Sequence, residues 1–157
     1  MVILEKRYAE EMVAHAKAEA PNEACGLLAG KDGRGVKVYR CRNREKSPYR
    51  YNIDPIDFLK ADQEMGEQGW HFLGIYHSHT MSKAYPSKTD IELADRFRET
   101  MLTILSIFSS KPVEEISTTY EAPLYLIVSL VEAPDPVIRG FRIVDGRVDE
   151  EELKSEG

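Results

Sequence analysis

Residues 70–90 of the chain, WHFLGIYHSHTMSKAYPSKTD, contain a predicted core strand, a histidine pair and the start of a helix. The apolar and aromatic run over 70–76 is typical of a buried strand, and His77 and His79 follow at its end. A loop then leads to a predicted helix that begins near Ser87. This strand–loop–helix unit carries the most specific chemistry in the sequence.

The spacing of His77 and His79 suits metal binding. Residues i and i+2 of an extended strand point to the same face, roughly 6.5 Å apart along the chain, so both imidazoles can reach one ion. Asp90 is a third candidate ligand, because it lies in the first turn of the next predicted helix on a connection long enough to fold back. Zinc accepts this donor set, and three protein ligands leave a fourth tetrahedral position for water, as in catalytic sites.

Two further residues complete the inventory of a hydrolytic site. Glu23 starts the apolar run 23–30, where partial burial would raise the pKa of its carboxyl towards the range of a general acid/base. Ser87 can donate a hydrogen bond to the oxyanion that forms on a scissile carbonyl. We therefore predict Glu23 and Ser87 as catalytic residues and His77, His79 and Asp90 as metal ligands.

Each of these residues also has a structural interpretation. An isolated His-x-His on a strand is more often incidental than metal-binding. Ser87-x-x-Asp90 is also a helix-capping pattern, and a ligand and a cap are compatible. Glu23 can simply end the first helical region, and Cys25 beside it is either a small buried hydrophobe or a ligand or nucleophile. The conjunction of these residues at this spacing favours the hydrolytic site.

The composition limits the class of protein. The 157 residues, 42% of them hydrophobic, suffice for one domain over 1–157 with one core. A formal net charge of −6 argues against broad nucleic-acid binding, and no run approaches the roughly 18 apolar residues of a membrane span. The N-terminus turns charged after three apolar residues, unlike a secretory signal. Cys25 and Cys41 are too few for a disulfide framework, so we expect a cytoplasmic protein with reduced thiols.

The remaining patterns predict a mixture of helices and strands. Predicted helices cover 4–19, 54–68 and 87–109, and predicted strands cover 23–30, 36–41, 70–76, 124–131, 137–144 and 147–152. Residues 113–122 are predicted as a loop and 151–157 as a frayed acidic tail. The segment 99–123 is too apolar for a bare loop. It extends a helix into the core, covers a substrate groove or makes a homodimer contact, and these three interpretations stay open.

The chemical motifs together resemble the signature of the JAMM (MPN-plus) metalloproteases. Glu23, His77-x-His79 and Ser87-x-x-Asp90 match that signature at every position. Thr80 stands where most members of the family carry proline, and it is shared by the bacterial branch of the CysO–cysteine peptidases. The surrounding stretches that resemble this branch are 21–30, 76–80 with 84–90, and 142–146. The segment 99–123 has no counterpart in the short bacterial members and is interpreted as an insertion.

The resemblance implies a mixed α/β fold like that of cytidine deaminases, with a central mixed β-sheet flanked by helices. It implies Zn²⁺ held by His77, His79 and Asp90, with Glu23 as general acid/base and Ser87 as oxyanion donor. It further implies a metallopeptidase that cuts a peptide or isopeptide bond at the C-terminal Gly-Gly of a ubiquitin-like sulfur-carrier protein, with release of cysteine in cysteine biosynthesis. The alternatives are a non-catalytic MPN-type protein-binding module and a zinc amidase that acts on a small molecule.

Overall fold

The computed structural model describes residues 1–112, 114–116, 123–132 and 136–157. The helices are α1 (Lys6–Glu19), α2 (Pro55–Gln68) and α3 (Lys88–Phe108). The strands are β1 (Val2–Glu5), β2 (Cys25–Lys31), β3 (Arg34–Cys41), β4 (His71–His79), β5 (Leu124–Ser129), β6 (Val137–Val144), β7 (Arg147–Glu151) and β8 (Leu153–Glu156). None of the helices in these described ranges combines the length and hydropathy that crossing a membrane requires.

All eight strands belong to one mixed sheet, in the order β7-β6-β5-β4-β2-β3-β1-β8. The pairs β4–β5, β1–β3 and β1–β8 are parallel, and the other neighbours are antiparallel. A strand in the middle of such a sheet is covered on both faces, which explains why β2 is buried from Cys25 to Gly30 and β5 along its whole length. The predicted central mixed sheet flanked by helices is confirmed.

The two faces of the sheet carry separate hydrophobic layers. In β5, Leu124, Leu126 and Val128 pack on the side of α1, whereas Tyr125 and Ile127 pack on the side of α2 and α3. This alternation follows from the two-residue period of a strand. Strand β4 obeys the same rule, with Ile75 facing α2 and α3 and Tyr76 facing α1. His77 and His79 therefore share the face on which α3 lies.

Local sequence features set the ends of helix α2 and the turns of two hairpins. The side chain of Asp54 accepts hydrogen bonds from the first turn of α2, and Gly69 ends that helix in the left-handed conformation with φ of 70°. The turns at Asp32–Gly33 and Asp145–Gly146 have positive φ at both residues, which is the backbone conformation of a tight two-residue hairpin turn.

The prediction for the N-terminal residues is wrong in one respect. The predicted helix over 4–19 begins only at Lys6, because Val2–Glu5 forms β1 at the far side of the sheet. Leu4 fits the spacing of the helical face and also the alternation of a short strand. The local pattern therefore does not separate the two elements.

The prediction of a frayed tail over 151–157 is also wrong. Residues Leu153–Glu156 form β8, which pairs in parallel with β1 from Val2 opposite Leu153 to Glu5 opposite Glu156. Leu153 packs against the layer under α1, and this burial holds the strand.

The apolar segment 99–123 is in its first part the continuation of α3. Met101 and Leu105 are buried in the layer that α2 and α3 share. Of the three interpretations, extension of a helix into the core is therefore the one that the structure shows for 99–108. Residues 113 and 117–122 lie outside the described part of the chain, and with them most of the predicted loop over 113–122.

Candidate metal centre

The structure brings the three predicted metal ligands together at the end of β4. His77, His79 and Asp90 are 1%, 4% and 7% exposed. The two Nε2 atoms are 3.2 Å apart, and Oδ2 of Asp90 lies 3.1 Å from Nε2 of His77 and 2.9 Å from Nε2 of His79. Across the described ranges, this is the only group of three metal-ligating side chains that meets in this way.

The dimensions of this group test whether one metal ion fits it. Ligands about 2.0–2.1 Å from a tetrahedral zinc ion are separated from each other by about 3.3 Å. The edges of 3.2, 3.1 and 2.9 Å therefore match one face of such a tetrahedron, slightly contracted. Two imidazole nitrogens and one carboxylate oxygen are also a donor set that zinc uses in catalytic sites. The residues fit a single divalent ion.

The start of α3 positions Asp90. The backbone N–H of Asp90 donates to Oγ of Ser87 at 3.0 Å, and the backbone N–H of Ser87 donates to Oδ2 of Asp90 at 2.9 Å. This reciprocal pair is a capping box, as the sequence pattern predicts. The same carboxylate oxygen caps the helix and faces the histidines, so the cap orients the candidate ligand.

The buried charged groups at the centre stabilise each other's ionised forms. Burial alone would raise the pKa of Asp90, but the adjacent His77 and His79 and the N–H of Ser87 outweigh it and hold that pKa well below its usual range. Burial also opposes a charge on His79, yet its hydrogen bonds to Asp90 and to the Lys83 carbonyl raise the pKa of its imidazole. The site is thus built for an anionic carboxylate beside a positive charge.

The two histidines are oriented by different means. Nδ1 of His79 lies 2.9 Å from the carbonyl oxygen of Lys83. A carbonyl can only accept, so Nδ1 carries a proton in both the charged and the neutral ring, and in the neutral ring the lone pair of Nε2 points to the centre. The ring of His77 instead stacks on Tyr51, with centroids 4.4 Å apart and an interplanar angle of 22°. Nδ1 of His77 is buried and has no hydrogen-bond partner among the described residues.

Glu23 reaches the same site from the chain that precedes β2. It is 3% exposed, and it lines a cleft of about 210 Å³ together with His79, Thr80 and Ser87. Burial, opposed by His77 and His79 and aided by Asp90, raises the pKa of its carboxyl to about 7. A carboxyl with this pKa can both accept and release a proton near neutral pH.

The backbone on either side of Glu23 is tied to its neighbours. The N–H of Glu23 donates to the carbonyl of Ser47 at 2.8 Å, and its carbonyl accepts from Nδ2 of Asn43 at 3.0 Å. Ala24 exchanges two hydrogen bonds with Ser78, one of them to the Ser78 hydroxyl at 2.8 Å. Ser78, which lies between the two histidines on the opposite face of β4, therefore anchors the strand that presents Glu23.

Sequence reasoning missed two contributors to the site. Tyr51 lies in a loop without regular structure, so no periodicity marks its contact with His77. Lys83 contributes only its backbone carbonyl, and since every residue has one, the sequence does not mark this contact.

Cys25 lies outside the group of candidate ligands. Its side chain is fully buried, and burial raises the pKa of its thiol. The structure supports the small buried hydrophobe among the interpretations of this residue.

Comparisons with known proteins agree with this geometry. A sequence model of the family described as prokaryotic homologs of the JAB domain matches residues 5–138. The CysO-cysteine peptidase of Mycobacterium tuberculosis is 36% identical over 142 residues, which cover 89% of this chain and 81% of that protein. A probable TtuB-protein conjugate cleaving protease of Thermus thermophilus is 42% identical over 87 residues, 54% of this chain and 57% of that protein.

A solved structure shares the architecture. The solution structure of a protein from Desulfitobacterium hafniense is 36% identical and superposes with a TM-score of 0.76. The superposition covers 99% of this chain and 93% of that chain, so nearly the whole fold is common to both proteins.

Proposed function

This chain belongs to the prokaryotic JAB family of JAMM (MPN-plus) metalloproteases, and we propose that it is a zinc peptidase. Its proposed site of action is the C-terminus of a ubiquitin-like sulfur-carrier protein. It hydrolyses a peptide or isopeptide bond that follows the Gly-Gly of the carrier, with release of cysteine as the specific reaction. The observation that carries the proposal is the convergence of three buried donor atoms beside Glu23, a buried residue whose Oε1 has no hydrogen-bond partner within the described part of the chain.

His77, His79 and Asp90 would hold the zinc ion. When bound, zinc supplies Lewis acidity and makes water nucleophilic near neutral pH. Glu23 then takes the proton of the attacking water and delivers it to the leaving nitrogen, for which a pKa of about 7 is well placed. Oγ of Ser87 accepts from the N–H of Asp90 through a lone pair, which leaves its hydroxyl proton available for the carbonyl oxygen as that oxygen becomes anionic.

The shape of the cleft favours a thin polypeptide tail as substrate. Its volume of about 210 Å³ is below the range of roughly 300–1,000 Å³ that encloses most small ligands. Tyr49 and Met81 line the cleft and are largely exposed, so the mouth presents an aromatic ring and a thioether to an approaching protein. A Gly-Gly tail, which has no side chains, suits such a narrow entrance.

The names of the relatives support the class of substrate. The M. tuberculosis relative is a peptidase of CysO-cysteine, and the T. thermophilus relative is named for the cleavage of TtuB-protein conjugates. Both names describe the cleavage of a conjugate, that of CysO with cysteine and that of TtuB with a protein. We place the reaction in the cytoplasm, since two cysteines are too few for the disulfide framework of a small secreted domain.

Metal analysis combined with a cleavage assay tests the proposal. The substrate is a ubiquitin-like carrier that ends in Gly-Gly and bears a C-terminal cysteine, and the expected products are the free carrier and cysteine, with about one zinc per chain. His77→Ala should lose both metal and activity. Glu23→Gln should keep the metal and lose turnover, and a fully active Glu23→Gln enzyme would contradict the role assigned to Glu23.

The same assay separates the alternatives. A non-catalytic binding module would bind the carrier tightly without metal in any preparation. An amidase for small molecules would hydrolyse members of a panel of small amides and leave the carrier–cysteine fusion intact.

A further inference from the structure

One peptide bond next to the metal centre is hydrogen-bonded at both ends. This is the bond between Lys83 and Ala84, in the loop that joins β4 to α3. Its carbonyl oxygen lies 2.9 Å from Nδ1 of His79, and its N–H donates to Oε1 of Glu132 at 2.6 Å. A single amide therefore connects the Glu132 carboxylate to the imidazole of His79.

Glu132 is held in its ionised form on the outer side of this peptide. Its pKa is lowered by the hydrogen bond from the Ala84 N–H, against the effect of burial, and further by Arg139. Nη1 of Arg139 donates to both carboxylate oxygens at 3.2 Å. The short distance to the Ala84 nitrogen is typical of a charge-assisted hydrogen bond.

We propose that Glu132 is a positioning residue of the metal centre, which acts on His79 through the peptide bond between Lys83 and Ala84. Hydrogen bonds in a chain polarise one another, so a carboxylate on the N–H makes the carbonyl oxygen a stronger acceptor. A stronger acceptor fixes the proton on Nδ1 of His79 and increases the basicity of Nε2, as outer partners of metal-bound histidines do. The inference rests on the metal site of the proposed function and is independent of the substrate.

A second anchor of the same loop provides a matched control. Oγ of Ser129 donates to the carbonyl of Ser82 at 2.7 Å, one peptide earlier in the loop. The same oxygen accepts from the N–H of Val131 at 3.3 Å, next to Glu132. Ser129→Ala removes both contacts and keeps the two hydrogen bonds of the peptide between Lys83 and Ala84. The comparison distinguishes a general loosening of the loop from the loss of the relay, by which we mean the connection from Glu132 through the peptide to His79.

The first measurement is the dissociation constant of zinc, from competition with a chromophoric chelator. Loss of an outer partner of a metal-bound histidine typically weakens binding by about 10–100-fold, so Glu132→Ala should lose about tenfold. Glu132→Gln keeps an acceptor for the N–H without the charge and should fall between Glu132→Ala and the wild type. Ser129→Ala should melt at a lower temperature and bind zinc as the wild type does.

The second measurement is the ¹H–¹⁵N spectrum of the histidine side chains. The resonance of the His79 Nδ1–H should move upfield in Glu132→Gln, because the carbonyl that it contacts is less polarised. If Glu132→Ala does not fold, Glu132→Gln decides the question. The proposal is overturned if Glu132→Gln changes neither the zinc affinity nor this resonance, or if Ser129→Ala weakens zinc binding as much as the variants of Glu132 do. A wild-type protein without metal would refute the proposed function, whereas the spectrum of the metal-free protein would still test the relay.

Discussion

Replacement of Glu23 by glutamine should stabilise the metal-free protein. In the folded chain the pKa of this carboxyl is about 7, against 4.5 for an unperturbed glutamate. A tenfold change in proton affinity corresponds to about 1.4 kcal/mol, so ionisation of Glu23 lowers the free energy of unfolding by about 3 kcal/mol. The unfolded chain ionises first, and the stability of the wild type therefore falls as pH rises from 4.5 to about 7. Glu23→Gln has no such loss.

Urea unfolding of both proteins at pH 5 and at pH 8, with a chelator present, measures this effect. At pH 8 the variant should be more stable by about 3 kcal/mol, which for a chain of this size corresponds to a melting temperature roughly 6–12 °C higher. At pH 5 the difference should shrink to roughly 1 kcal/mol, because Glu23 is then protonated in the folded state and ionised only in the unfolded chain. Equal stability at pH 8, or an advantage that is the same at both pH values, would refute the reasoning.

Three other predictions concern packing around the site. Tyr51→Ala should weaken zinc binding roughly two- to tenfold in the chelator assay, since an aromatic pair is worth about 0.5–1.5 kcal/mol, whereas Tyr51→Phe keeps the stacked ring and should bind as the wild type does. Gly26→Ala should lower the free energy of unfolding by about 1–3 kcal/mol, because the new Cβ would overlap a backbone carbonyl of β3 and a tyrosine ring. Gly66→Ala is its control, since only the end of a lysine side chain is near, and it should be neutral or stabilising. Urea unfolding of both variants measures the difference. Cys25 and Cys41 should not react with a disulfide reagent in the native protein, because burial raises the pKa of both thiols, that of Cys41 to about 12; two reactive thiols in the folded state would contradict their burial.

The parts of the fold and of the site that could be predicted from sequence rest on local geometry. The cap at Ser87 and Asp90 is a spacing of three residues at a helix start, and the two histidines follow the two-residue period of a strand. In both cases the residues themselves determine which side chains are neighbours. Glu23 could be predicted because a charged residue at the start of an apolar run is exceptional.

The rest depends on contacts between residues far apart in the chain. Strand β8 forms by pairing with β1, with Leu153 opposite Val2, and no local pattern in the acidic segment 151–157 predicts this pairing. The contact of Tyr51 with His77 and the role of the Lys83 carbonyl likewise appear only when the loops are folded against β4. The apolar residues of 99–108 are compatible with three interpretations, and only the packing of Met101 and Leu105 against the layer that includes α2 shows that they continue α3.

The alternation of side chains along β4 has a consequence for the changes in length that this protein tolerates. Ile75 and Tyr76 face opposite layers, and the histidines continue the face of Ile75. Insertion or deletion of one residue in the strand would rotate both imidazoles into the layer under α1 and bring Ser78 towards Asp90. A change of two residues would restore the face but displace the imidazoles by roughly 6.6 Å along the strand, beyond the reach of the carboxylate. Natural variants of this chain should therefore differ in the lengths of their loops and keep the length of β4 unchanged.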